Sequence, residues 1–229
     1  MLIFRNSVKI FAVALLLLTM TSTGFSQNVA DLKSQALDGD AVAQTNLAIA
    51  YFKGEGGMVQ DYPQAVVWFR KAAEQGDADA QMNLGFAYHM GRGVTQNDAQ
   101  AVVWYIKAAA QGQAEAQRRL GLAYRMGEGV PQDSANAALW FRKAAEQGEA
   151  VSQILLGSCY ERGEGVPQNN AQAYFWMDLG VSSGRLEGDS KENATKLRDY
   201  AASQLTKKML YAIQDRESVW SEAHPIIAN

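Results

Sequence analysis

Tryptophan returns at Trp68, Trp104, Trp140 and Trp176, every 36 residues, and Gly76, Gly112, Gly148 and Gly184 keep the same beat. A period of this length marks supersecondary units that stack side by side, because one such unit cannot bury its apolar face alone. It disfavours a globular enzyme core and favours an extended binding surface. Hydrophobic residues make up 48% of the chain, enough to exclude disorder, and charged residues make up 20%, the usual share for a soluble protein.

Each unit opens on a helical stretch: GDAVAQTNLAIAYFKG from Gly39, GDADAQMNLGFAYHMG from Gly76, GQAEAQRRLGLAYRMG from Gly112 and GEAVSQILLGSCYERG from Gly148. Ala41, Gln44, Leu47, Ala48 and Tyr51 recur at equivalent places, with glycine replacing Ala48, and their spacing traces one face of an α-helix. A glycine-paired loop follows, as at Gly127 and Gly129, with Pro131 and Pro167 stiffening two of the exits. The second helix carries Ala65, Trp68, Phe69, Ala72 and Ala73 on one stripe, and Gly76 fits the position just past its end. No strand precedes these glycine loops, so a phosphate-binding reading lacks its context.

These residues resemble the Sel-one-like repeat (SLR) family, a relative of the tetratricopeptide repeats. The pattern A-x-x-x-L-G-x-x-Y-x-x-G-x-G-V-x-x-D, followed by A-x-x-W-[FY]-x-K-A-A-x-x-G, is nearly complete in the second and third copies. The first copy departs in its loop and at Ala48. The fourth drifts in its second half, with Met177 for an aromatic and Leu179, Gly180 and Val181 for the K-A-A run. The resemblance implies an all-α, right-handed α/α superhelical solenoid used as a scaffold or adaptor, often at bacterial envelopes. The expected divisions are repeats at 39–75, 76–111, 112–147 and 148–184, an N-terminal capping helix at 27–38 and C-terminal capping helices at 185–229. Ser190 and Thr206 are expected to cap the last two helices. Leu197, Tyr200, Ala201 and Gln204 should form one buried stripe, and Met209, Ile213 and Trp220 the next, with the Lys and Glu residues solvated.

Residues 1–26 read as a signal peptide: Arg5 and Lys9, an apolar run from Ile10 to Met20, then Gly24 and Ser26 before Gln27. An uncleaved anchor is the alternative. The run is shorter than the roughly 20 residues that span a bilayer, so a periplasmic or secreted protein with no membrane span after leader removal is expected. Without Arg5 and Lys9 the mature chain carries 19 basic and 24 acidic residues, a formal charge of −5, which argues against nucleic acid. With Cys159 as its one cysteine, the chain can form no internal disulfide.

Helix positions freed from packing are where specificity can be written. In the first helix of each unit these are the columns of residues 42, 45, 49 and 52. The candidate partner-binding set is Thr45, Ile49, Phe52, Met82, Phe86, His89, Arg118, Leu122, Arg125 and Ile154. Apolar and aromatic side chains there would bury area and arginine would grip a carboxylate, which suits a protein or peptide partner with an acidic group or a free C-terminus. No catalytic, cofactor or metal set is expected, since His89 has only His224 as a companion histidine and no H-E-x-x-H spacing occurs. Cys159 falls in a small core column and reads as a buried, inert thiol. A glycan or peptidoglycan scaffold remains an alternative. A β-lactamase-like activity, described for cysteine-rich members of the family, has no S-x-x-K, S-D-N or K-T-G to carry it.

Overall fold

A computed structural model describes residues 29–223, and the expected leader at 1–26 and His224 lie outside them. The described residues are helical, with no strand among them. Helix α1 covers 29–37. It is followed by α2 (Ala41–Lys53), α3 (Tyr62–Glu74), α4 (Ala78–Met90), α5 (Asp98–Ala110), α6 (Ala114–Met126), α7 (Ser134–Glu146), α8 (Ala150–Arg162), α9 (Asn170–Ser182), α10 (Gly188–Ser203) and α11 (Lys207–Ala223). The chain divides into two compact units, at Gln96 and Asn97. In each, sequence neighbours pack as helical hairpins, α2 with α3 and α3 with α4 in the first, and α5 through α9 successively in the second. This is the all-α solenoid organisation expected from the period.

The helix ends follow local chemistry. Asp40, Asp77, Gln113 and Glu149 cap the first helices of the hairpins by accepting a bond from the backbone N–H three residues on, and Asp61, Asn97, Asp133 and Asn169 do the same for the second helices. Gly76 closes α3 at φ 97°, as its place after the stripe requires. Gly129 has a second reason to be glycine. Besides φ +73°, a Cβ there would lie 2.3 Å from the Asp98 carbonyl oxygen, so the loop after α6 rests directly on the start of α5.

The cores mix large and small residues. Leu47, Phe69, Ala72 and Leu84 in the first unit, and Ala108, Leu120, Phe141, Ala144 and Leu156 in the second, are fully buried. Gly121 and Gly157 let Phe141 and Met177 come in where a methyl would meet them at 2.6 Å. Each unit carries two junctions between a hairpin and the helix before it, and a buried glutamine marks every one. Gln44 Nε2 donates to the Ala36 carbonyl, Gln81 to Ala73, Gln117 to Ala109 and Gln153 to Ala145, at 3.0 to 3.2 Å. Each ties the first helix of a hairpin to the last turn of the helix before it. Ala36 serves Gln44 as Ala73 serves Gln81, which makes α1 a reduced second helix. Gln75 and Gln147 extend the relay by donating to Gln44 and Gln117 at 2.8 Å.

The tryptophans are less deeply placed than a pure packing stripe requires. Trp104 and Trp176 are buried, whereas Trp68 and Trp140 are half-buried. Lys71, Lys107 and Lys143, three residues on, lie 4.0 to 4.1 Å from the ring centres of Trp68, Trp104 and Trp140. The K of the K-A-A run thus covers the indole of its own helix.

The C-terminal cap differs from expectation in detail. Helix α10 starts at Gly188 and its N-cap residue, Glu187, makes no side-chain capping bond, so Ser190 lies inside the helix. Its buried stripe is Ala194 and Ala201 with half-buried Leu197; Tyr200 is 55% exposed, because α10 is held against α9 by small residues. Thr206 caps α11 as expected, accepting from Met209 N. In α11, Ile213 and Trp220 pack inward, Met209 is exposed, and Glu217 is buried rather than solvated.

Unfolding in urea separates the roles of these glycines and glutamines. Gly57, also at positive φ (+70°) but with no atom within 4 Å of where a Cβ would stand, should tolerate Gly57→Ala at a cost of about 1 kcal/mol. Gly129→Ala adds the clash and should cost about 3 kcal/mol or more. Gln117→Leu should cost about 1.5 kcal/mol, since it removes both the bond to the Ala109 carbonyl and the one that Gln147 donates to Gln117 Oε1. Gln153→Leu should cost less than about 1 kcal/mol, because the Ala145 carbonyl keeps its bond from Gly148 N and Gln153 Oε1 is already unpaired. Equal costs within either pair would contradict these assignments.

Candidate functional site

Packing absorbs the alanine, leucine and glutamine columns, so the half-buried positions on the first helices carry what the repeat does not need. In the first unit, Phe52 at the end of α2 sits edge-on to Tyr62 at the start of α3, ring centres 4.9 Å apart, and 6.1 Å from Phe86 on α4. The guanidinium of Arg92, in the loop after α4, lies 5.6, 5.5 and 5.8 Å from the centres of Phe52, Tyr62 and Phe86. All four side chains are half-buried, as are Ile49, Met82 and His89. Of the expected residues in this unit, the structure therefore brings Phe52 and Phe86 together. It removes Thr45, which is 5% exposed and whose hydroxyl has the Asp77 Oδ1 and the Ala41 carbonyl as acceptors, each at 3.0 Å. Thr45 is a packing residue because its column faces the next hairpin's N-cap.

In the second unit, Arg118 is held by Glu115 at 3.2 Å and Glu149 at 3.5 Å. Arg119 also takes Glu115, at 2.6 Å. Arg118 is thus committed to acids of its own chain, which weakens its expected role as a carboxylate grip. Arg125 lies over the Phe141 ring at 5.6 Å. Leu122 leans on the core cluster around Phe141 and Tyr160. Ile154 fills the space beside Gly180, where a Cβ would meet its Cδ1 at 2.8 Å, so it is largely a packing residue. Sequence reasoning missed Arg92 and Tyr62. The signal was there: the position of Arg92 is glutamate in the other loops, Glu55, Glu128 and Glu164.

Other titratable groups are placed by burial. The Cys159 thiol is 3% exposed and burial pushes its pKa up to about 11, which keeps it protonated and unreactive at neutral pH. Burial likewise pushes Tyr105 up to about 12, opposed by Arg119. Among the described residues no three His, Cys, Asp or Glu side chains gather as a metal site would need, and no helix is long and apolar enough to cross a membrane. The most perturbed acid lies in the cap. Glu217 on α11 hydrogen-bonds Asp178 on α9, and desolvation followed by the Asp178 charge lifts it to about 8, against the pull of Arg198 and Arg216. Arg198 on α10 bonds Asp178 at 3.2 Å and Asp199 at 2.8 Å, so a carboxyl–carboxylate pair with one arginine joins the three terminal helices.

The hairpins and their columns are shared with known proteins. The Sel1 repeat family model matches four times, at residues 41–77, 78–113, 114–149 and 150–184. Among solved structures, a protective antigen of uropathogenic Escherichia coli with an SLR fold is 36% identical, with a TM-score of 0.74, over 83% of this chain and 40% of that one. A Sel1 repeat protein from Oxalobacter formigenes is 38% identical, with a TM-score of 0.65, over 74% of this chain and 48% of that one. The present chain therefore corresponds to less than half the length of either protein. Among curated proteins no match is found.

The cap pair sets a pH dependence. Between the ordinary glutamate value of 4.5 and about 8, native Glu217 keeps a proton that the unfolded chain has lost. Its contribution to stability is therefore full below about 4.5 and falls as pH rises through about 8. The thermal midpoint, followed by far-ultraviolet circular dichroism, should drop between pH 5 and pH 8. Glu217→Gln should flatten most of that drop; an unchanged slope in the variant would place the dependence elsewhere.

Proposed function

Because this chain belongs to the Sel1 repeat family, a family of helical scaffolds, we propose that it is an exported adaptor that binds a protein or peptide partner at the bacterial envelope or outside the cell. The observation that carries the reading is the division of labour within the hairpins. The glutamine, leucine and alanine columns repeat because they pack. The half-buried columns change chemistry from copy to copy: Phe52, His89, Arg125 and Glu161 at one position, and Ile49, Phe86, Leu122 and Ser158 at another. A surface written this way discriminates among partners by local side chains. The mixture of aromatic rings and guanidinium groups suits a peptide with an apolar anchor and an acidic group or a free C-terminus.

Export rests on the basic–apolar–small order of residues 1–26. The likeness to a protective antigen of a pathogenic bacterium is in keeping with it. A glycan partner is the weaker reading: lysines cover the indoles of Trp68, Trp104 and Trp140, leaving those faces less free to stack on sugars. No catalytic role is proposed.

The test is affinity capture from envelope extract with wild type beside Phe86→Asp and Arg125→Glu, each checked for native helicity by circular dichroism. One protein, retained in a saturable manner and reduced at least tenfold by a folded variant, is the expected result. Retention of peptidoglycan fragments instead of protein would replace the adaptor with the glycan scaffold. A protein bound equally by all three would move the site away from these columns.

A further inference from the structure

We propose that Arg92, held among the rings of Phe52, Tyr62 and Phe86, is a carboxylate receptor that takes the terminal or side-chain acid of a bound peptide. The inference rests on the peptide-adaptor reading and gives it a specific anchor. Three observations carry it, all within the first unit.

The first is commitment. Most arginines among the described residues are paired within the chain: Arg118 and Arg119 to Glu115, Arg162 to Glu164, Arg198 to Asp178, Arg70 to the Tyr88 hydroxyl, Arg142 to the Tyr160 hydroxyl and Arg185 to the Gly148 carbonyl. Arg92 makes no ion pair and no side-chain hydrogen bond among the described residues. Its guanidinium meets the three rings instead. Arg125 and Arg216 also lie over aromatic rings, but each over one. A ring engages the positive charge and leaves the N–H fork of the guanidinium to be satisfied from outside, and that fork fits a carboxylate through two parallel bonds.

The second is that the cluster is not part of the repeat. Tyr62 is Asp98, Ser134 and Asn170 in the other copies, and Arg92 is Glu55, Glu128 and Glu164. Glu55 and Glu164 neutralise the basic ends of their own helices, Lys53 at 3.7 Å and Arg162 at 3.8 Å. In the second copy that helix end is Met90, and the loop charge is reversed. Packing of the hairpin asks for neither change.

The third is preorganisation. Gly93 follows Arg92, and a Cβ there would lie 2.4 Å from the Tyr62 carbonyl oxygen, so the loop is seated on the start of α3. Arg92 is therefore fixed at its root by the backbone and along its length by the rings, which lowers the ordering cost of binding.

The test is a titration of the full-length mature protein, with labelled arginine side chains observed by NMR. The probe is N-acetyl-phenylalanine, and its control is N-acetyl-phenylalanine amide, the same ring without the charge. The Arg92 Nε–H signal, assigned by its loss in Arg92→Lys, should move saturably with the acid and stay still with the amide. Arg92→Gln should weaken binding at least tenfold, read from the backbone signals of Gly91 and Gly93. An unmoved Arg92 signal, equal shifts with acid and amide, or saturable shifts confined to Arg118 or Arg125 would each overturn the assignment. Wild-type titration carries the result even if a variant folds poorly. The two readings fail separately: a captured protein partner with a silent Arg92 leaves the adaptor without this receptor, and a responsive Arg92 without a captured protein leaves an acid-binding site without the adaptor.

Discussion

The bond from a buried glutamine to the last-turn carbonyl of the preceding helix is what the rest of this structure depends on. A helix end leaves carbonyls without partners, and in a stacked array those ends are covered by the next unit rather than by water. Gln44, Gln81, Gln117 and Gln153 reach into that junction. The same carbonyls also accept from the glycines that close the helices, Gly39, Gly76, Gly112 and Gly148. The helix-end carbonyls of these junctions are thus satisfied where one hairpin meets the next, with Gln153 Oε1 left unpaired at the last of them, and alanines can hold the helices close there.

Once the junction is settled, the remaining positions separate into two kinds. Some charges are spent internally, as Arg118 is on Glu115 and Glu149. Others rest on aromatic rings and keep their donors, as Arg92 does. A surface arginine is worth little to stability in either state, so the difference bears on recognition more than on folding. Residue type alone treats Arg92, Arg118 and Arg125 alike; their neighbours distinguish them.

The C-terminal cap shows how the array ends. In the first and third copies the second helix presents an arginine, Arg70 or Arg142, to a tyrosine hydroxyl of the following helix. In the fourth copy the same position is Asp178, and it receives Arg198 from α10. The polarity is reversed, so α10 packs as a continuation without being another repeat. Helix α11 then packs on α9, where Phe175 and Trp176 are buried, and places Glu217 against Asp178.

Much of this was legible in the chain. The 36-residue beat and the helical spacing of Ala41, Gln44, Leu47 and Tyr51 determine the helices, their loops and their packing faces, because those are set by local periodicity and by the conformations glycine permits. The buried, inert state of Cys159 was legible for the same reason, as a small residue in a core column. Partnership was not legible. That Thr45 is consumed by Asp77, that Glu217 is buried beside Asp178, and that Arg92 stands among three rings while Arg118 is neutralised are matters of which side chains from distant segments arrive within a few ångströms of one another. Sequence by itself determined the repeat, since each copy writes its own periodicity. Tertiary structure decided which charges remain available, since the energy of a charge depends on distance and burial, and neither is a property of the linear chain.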